Sequence, residues 1–259
     1  MTEILKFIKG FQKNDSLPFL CPFCKKNSLI LDDDTWQEHD KAALHHCEEW
    51  FDPCDHVEYI YTALYKCSNS NCRQCVISSG TGGVDIDYSQ EEYAYAGSQP
   101  AYYSYYQPKI FIPPLSFFIV PEKTPNEIKT LLDLSFSIVL QSPASAVNCL
   151  RSCLEKLLDI YIPLTTTKKT LHHRIEQDVP KHLLLSPFQS YLMAIKWLGN
   201  SGSHDLDEIT LQDIMDVYEI MEFILGSLYG HTQNILQKAQ LINQKKGPLT
   251  RQERKSLGN

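Results

Sequence analysis

The chain contains no apolar run long enough to cross a bilayer. Its longest runs, such as Leu115 to Val120, fall far short of the ~20 residues a spanning helix needs. It also lacks the opening of an export signal. Ile4, Leu5, Phe7, Ile8 and Phe11 follow helical spacing, and acidic Glu3 sits where a signal carries positive charge. The expected location is the cytoplasm, with no membrane partner. Positive charge is scarce as well. Residues 1–120 hold 9 Lys/Arg against 16 Asp/Glu, and residues 121–231 hold 9 against 14. Such a body is not a generic nucleic-acid coat, because phosphate binding needs a positive field. Only the tail, 232–259, with 6 basic residues against 1 acidic, supplies one. No complete, familiar catalytic constellation is visible.

What is abundant is cysteine near the N-terminus, with seven of the nine between positions 21 and 75. Cys21-Pro22-Phe23-Cys24 is a CxxC knuckle, short enough for two thiolates to wrap one Zn²⁺. A second pair comes from Cys67, Cys72 and Cys75. Cys67 with Cys72 is favoured, and Cys75 is the alternative ligand. Four thiolates with knuckles at the ends of short strands describe a zinc ribbon holding a structural zinc. Between the knuckles, Cys47 and Cys54 with His45, His46 and His56 have the chemistry for a second site. A disulfide framework fits an intracellular composition poorly. Cys149 and Cys153 stand four apart in an apolar helical pattern and read as small buried hydrophobes.

The element pattern changes along the chain. After an amphipathic helix over about 2–13, strands are expected at 28–31, 56–65 and 76–86. Seven tyrosines between Tyr88 and Tyr106, followed by Pro108, Pro113, Pro114, Pro121 and Pro125, suggest a connector with one extended segment near 109–112. Helices are expected at 125–141, 143–161, 168–178, 187–198, 210–229 and 231–245. Thr124 to Glu127 has the form of a capping box, and Thr210 to Asp213 opens another helix with an acid in its first turn. His172-His173-Arg174 reads as surface. The apolar stripe of the 210–229 helix takes in Val217, Ile220 and Phe223, wide enough for a central helix or a dimer seam. The organisation is thus a helix and zinc-ribbon module (1–86), a connector (87–120), a helical bundle (121–231) and a basic tail (232–259).

Two helical segments carry a resemblance. Asn148 to Leu158, NCLRSCLEKLL, and Ala194 to His204, AIKWLGNSGSH, resemble the signatures of the bacterial domain-of-unknown-function 4145 family over about residues 120–230. That family is similar to HEPN helical bundles, many of which dimerise, and its members accompany restriction-type and other antiviral defence proteins. Active HEPN members are metal-independent ribonucleases using a basic residue, a polar neighbour and a histidine. The resemblance therefore implies defence-linked work, a homodimer, and RNA, DNA or a defence-system protein as partner. On the matching positions, Arg151 and Lys196 would stabilise phosphate charge, Asn200 would orient it and His204 would move a proton. Lys196 replaces the usual arginine and stands eight residues before His204. Physically, Gly199 is suited to end the helix through Trp197, with Asn200 to His204 forming a polar turn.

The fold class expected is α+β, a zinc-ribbon-like antiparallel module followed by a HEPN-like all-α bundle. The leading function is a zinc-containing binding or accessory protein. The rival is a metal-independent endoribonuclease at Arg151, Lys196, Asn200 and His204. A structural oligomerisation adaptor is the third class.

Overall fold

The computed structural model of the chain describes residues 1–41, 46, 48–87, 101–164, 169–204, 209–230, 238 and 241–256, with backbone alone at 201–204 and 255–256. Two compact units emerge: Met1–Phe117 with Phe136–Ser142, and Phe118–Ser135 with Pro143–Asn259. Together they make an α+β protein.

The first unit starts with α1 (Thr2–Lys9), which buries Phe7 and Ile8. Strands β1 (Leu29–Asp40), β2 (Glu58–Cys67), β3 (Cys75–Ile86) and β4 (Tyr102–Ile112) form one antiparallel sheet in chain order. A short helix α2 (Pro53–His56), N-capped by Asp52, precedes β2. The sheet is larger than the sequence suggested, for two local reasons.

β1 runs on past Leu31 through three aspartates. The pairing with β2 shifts between Asp32 and Gln37, a bulge that the strand survives because Thr35 bridges it. The Thr35 hydroxyl donates to the Asp32 carbonyl at 2.7 Å and accepts the Leu64 N–H at 2.9 Å, so the amide opposite the bulge keeps a partner. Trp36, just after it, stacks on buried Tyr61 at 5.1 Å. Phe11, Tyr61, Trp36 and Tyr106 form a mutually packed aromatic cluster with ring centroids 4.7–6.4 Å apart.

β4 is the second difference. Much of the tyrosine- and proline-rich stretch expected to be a connector is a full strand, while Tyr88, Tyr93 and Tyr95 lie outside the described residues. Pro108 is tolerated because β4 is an edge strand and the β3–β4 register shifts between Ser79 and Gly80, opposite it. Gly80 makes that approach possible. A Cβ there would lie 2.0 Å from the Gln107 carbonyl oxygen and 2.9 Å from Pro108 Cα.

The second unit is helical: α3 (Asn126–Ile138, whose last residues belong to the first unit), α4 (Pro143–Tyr161), α5 (Leu171–His173), α6 (Gln189–His204) and α7 (Leu211–Tyr229). α7 starts with the reciprocal cap its sequence announces. Asp213 N–H donates to Thr210 Oγ1 at 3.2 Å, and Thr210 N–H donates to Asp213 Oδ2 at 2.8 Å. Thr124 does not cap in this way: it is buried, and α3 begins on the Pro125 carbonyl. α7 is central, burying Ile214, Met215, Val217, Tyr218, Met221, Ile224, Leu225 and Leu228. Within this core the Ser135 hydroxyl donates to the Ala146 carbonyl at 2.9 Å and lies 2.8 Å from the Tyr218 hydroxyl. Cys153 is buried and Cys149 half-buried, and burial raises both thiol pKa values.

Arg174 is not a surface residue. Its side chain is buried in the π turn Arg174–Asp178, where it donates to Asp159 at 2.8 Å and to the Ile162 carbonyl at 3.0 Å. The guanidinium thus closes the C-terminal end of α4, a use of arginine that sequence spacing does not reveal. The helix expected over 231–245 lies mostly outside the described residues.

Replacing Gly80 by alanine drives a methyl group into the backbone of β4. Gly80→Ala is expected to destabilise the N-terminal unit by about 3 kcal/mol, as in overpacking. Denaturant unfolding followed by tryptophan fluorescence checks this, since Trp36 reports on that unit.

Candidate metal centre and helical polar cluster

Cys21 and Cys24 lie in the turn before β1. Cys67 ends β2, and Cys72 lies in the connection to β3. The four sulfurs fall within 4.8 Å of one another. Cys21 Sγ is 3.8 Å from Cys72 Sγ, and Cys24 Sγ is 3.6 Å from Cys67 Sγ. Both separations exceed the ~2.05 Å of a disulfide. They match a tetrahedral metal instead: metal–sulfur arms of about 2.3 Å place sulfurs about 3.8 Å apart.

The two turns have related construction. In the first, Lys25 N–H donates to the Cys21 carbonyl at 2.8 Å and Cys21 N–H donates to the Asn27 carbonyl at 2.9 Å. In the second, Asn69 N–H donates to Cys67 Sγ at 3.4 Å, and Cys67 N–H donates to the Gln74 carbonyl at 2.9 Å. The residue after the later cysteine is left-handed in both, Lys25 at φ 53° and Arg73 at φ 50°. Each such non-glycine conformation costs about 1–2 kcal/mol. Two strained turns facing each other through four sulfurs are the arrangement a metal would hold together.

Backbone amides also favour thiolate here. The Lys26 N–H, followed in effect by that of Asn27, holds the Cys24 pKa down to about 6 against the opposing effect of burial. Cys67 shifts the other way, pushed up to about 12 chiefly by burial. The opposite directions are those of close thiols that cannot all ionise without a cation between them.

Cys75 opens β3 outside this cluster, with its Sγ 3.9 Å from the Arg73 carbonyl. Cys54 and His56 do not join it either, and no second group of three metal-ligating side chains occurs among the described residues. His56 Nδ1 is engaged with the Asp52 backbone, and His46 Nε2 lies 2.7 Å from Asp40 Oδ2. His45 and Cys47 lie outside the described residues.

The polar residues of the helical unit group differently from the sequence expectation. Gly199 does not end a helix: α6 continues through it to His204. Lys196, Asn200 and His204 are therefore spaced i, i+4, i+8, each step turning by only about 40° around one helix. Gly199 is instead the point where α4 comes close, since a Cβ there would lie 2.9 Å from Arg151 Cβ. Lys196 is only 7% exposed, with its ammonium 3.3 Å from the centroid of the Trp197 ring. Its pKa is lowered, first by burial and then by the Arg151 charge. Arg151 Nε is 3.7 Å from Glu155, a weak i,i+4 contact. The structure thus brings Arg151, Lys196 and Asn200 into one neighbourhood, while the His204 side chain lies outside the described residues. Sequence reasoning missed Trp197 and His172, whose rings lie 5.7 Å apart beside Lys196. No local spacing signals that contact, because His172 and Trp197 lie on different elements.

Substituting one knuckle cysteine should uncouple the two turns. If the four sulfurs hold a metal, Cys21→Ser is expected to abolish metal binding and unfold the sheet, whereas Cys75→Ser is expected to preserve both. Elemental analysis and far-ultraviolet circular dichroism of both variants check this.

Comparison with known families divides the chain in a similar way. Residues 9–111 match the model of a family described as Domain of unknown function (DUF8608). That span contains all four clustered cysteines and nearly all of β4. No curated protein and no solved structure matches the chain. Residues 135–245, which carry Arg151, Lys196, Asn200 and His204, match the model of Domain of unknown function (DUF4145).

Proposed function

We propose that this protein is a non-enzymatic binding module stabilised by one structural zinc, serving as an accessory factor in bacterial defence. The four-sulfur cluster carries the reading. Four cysteines can supply all four positions of a tetrahedral site, so no position is left for substrate or an activated water. Four thiolates select a soft or borderline ion, and zinc is the redox-silent one that suits a structural role. Binding on the order of 10 kcal/mol is enough to fold a small module. In this reading the sheet with its zinc ribbon and the HEPN-like bundle display a recognition surface in the cytoplasm. The defence setting rests on the family resemblance of the helical half.

A second reading is a metal-independent ribonuclease, favoured by the grouping of Arg151, Lys196 and Asn200 with His204 two turns further along α6. The burial of Lys196 against Trp197 argues for the binding reading, because it limits what phosphate can reach. Homodimerisation would use the outer face of α7, where Phe223 is 51% exposed beside Tyr191 and Phe188.

One measurement tests the structural zinc and a second separates binding from cleavage. Purified protein is expected to contain close to one zinc per chain, and well under one would sink the structural-zinc reading. Incubated with mixed tRNA and mRNA, wild type and His204→Ala are both expected to leave the RNA intact. Cleavage by wild type alone would establish the ribonuclease instead.

A further inference from the structure

Where α4 meets α6, the helical unit holds positive charge that its own side chains do not answer. Lys196 is only 7% exposed, yet its ammonium makes no hydrogen bond or ion pair among the described residues. Its close neighbour is the Trp197 ring, with the centroid 3.3 Å from Nζ. An aromatic face attracts a cation but gives its three N–H groups no lone pair to donate to. Arg151 Nε is buried and also has no hydrogen-bond partner. Glu155 stands 3.7 Å from it, beyond hydrogen-bond reach, on the exposed side of α4.

The fold forces these two cations together. Gly199 lies one turn beyond Lys196 on α6, and a Cβ there would come within 2.9 Å of Arg151 Cβ and 3.2 Å of its Cδ. The arginine stem therefore runs along the face of α6 that carries Lys196. Burial first and the Arg151 charge second lower the Lys196 pKa, which is the signature of a cation without a counter-ion. An oxyanion set between them would accept from the ammonium and from the guanidinium edge, turning repulsion into two charge-assisted hydrogen bonds. The place is reached from the surface beside Trp197, which is 54% exposed, and half-buried Arg151.

We propose that Arg151 and Lys196 bind a terminal phosphate group, as inorganic phosphate or as the phosphomonoester end of a nucleotide, and hold it without cleaving it. The inference rests on the binding-module reading and gives the helical half of that module a ligand. Two fixed cations match the charge of about −1.5 to −2 that a phosphomonoester carries at pH 7, whereas a carboxylate brings one charge. A terminal phosphate also presents three free oxygens from one direction. That suits a nearly covered ammonium better than a phosphodiester, which carries a substituent on either side.

The test is isothermal titration calorimetry of the full chain in phosphate-free buffer at matched ionic strength, with inorganic phosphate, adenosine monophosphate, dimethyl phosphate and acetate. One phosphate or one nucleotide per chain is expected to bind, with dimethyl phosphate and acetate weaker by about tenfold or more. Tighter binding of the nucleotide than of inorganic phosphate identifies the phosphomonoester as the source, and equal binding identifies free phosphate. Arg151→Gln and Lys196→Met are each expected to weaken binding about tenfold. The control Lys156→Met removes the same charge from an exposed position on α4 and is expected to keep affinity within about twofold, because exposed charges are screened. Thermal melting without ligand supplies a second readout. Lys196→Met is expected to melt no lower than wild type, since it removes an uncompensated cation facing Arg151. A lower melting temperature with phosphate binding intact would make Lys196 a structural brace and overturn the proposal. Equal loss in the control, or equal binding of acetate or dimethyl phosphate, would reduce the effect to general charge and also overturn it. A folded chain that ignores both phosphate and nucleotide overturns this inference alone, whereas cleavage of RNA by the wild type removes the binding-module reading beneath it.

Discussion

The N-terminal unit depends on one constraint, the convergence of four cysteine sulfurs from two turns far apart in sequence. Cys21 and Cys24 precede the first strand, and Cys67 and Cys72 stand between the second and third. Bringing them together sets where β1 starts against β2, with Leu29 opposite Cys67, and the β2–β3 pairing follows from the same turn, with Lys66 opposite Cys75. Without a cation, four close thiols offer little attraction, and the left-handed residues Lys25 and Arg73 would be a net cost. With one, a metal-binding free energy on the order of 10 kcal/mol exceeds that strain several times over.

From that anchored end the sheet runs into an aromatic core. Phe7, Phe11, Trp36, Tyr61 and Tyr106 do the work of a larger aliphatic core, because aromatic side chains bury much area per residue. Their polar edges are satisfied at the margin of the cluster. Trp36 Nε1 and the Tyr106 hydroxyl both donate to Glu38 Oε2, at 3.0 and 2.6 Å, and Tyr61 meets Ser78 at 2.9 Å. The distal end of the sheet carries a cleft lined by Phe51, Tyr59 and Tyr102, away from the four sulfurs at its other end.

The helical unit follows other rules. Its core is aliphatic around α7, with the Ser135 and Tyr218 hydroxyls serving each other inside it. Its distinctive chemistry lies where α4 meets α6 at Gly199, which allows two cations, Arg151 and Lys196, to stand close. Such proximity is unfavourable unless something compensates. For Lys196 the Trp197 ring supplies part of that, which makes a structural role for the pair coherent alongside a phosphate-binding one.

Local sequence determined a good deal. The cap at Thr210, the helix Pro143–Tyr161 and the CxxC knuckle with a partner pair drawn from Cys67, Cys72 and Cys75 follow from residue types at short spacing. So does the β-branched and aromatic character of the second strand. What spacing left open was decided at a distance. Cys72 lies in the cluster and Cys75 outside it because the β2–β3 turn puts Cys75 at the head of a strand. The proline-bearing tyrosine stretch becomes β4 because an edge position excuses the missing N–H and Gly80 yields room for it. Gly199 continues a helix because the side chain it must accommodate, Arg151, comes from another helix. Arg174 is interior because its partners Asp159 and Ile162 wait at the end of α4. In each case the deciding atom lies on another element, and only folding brings it within reach.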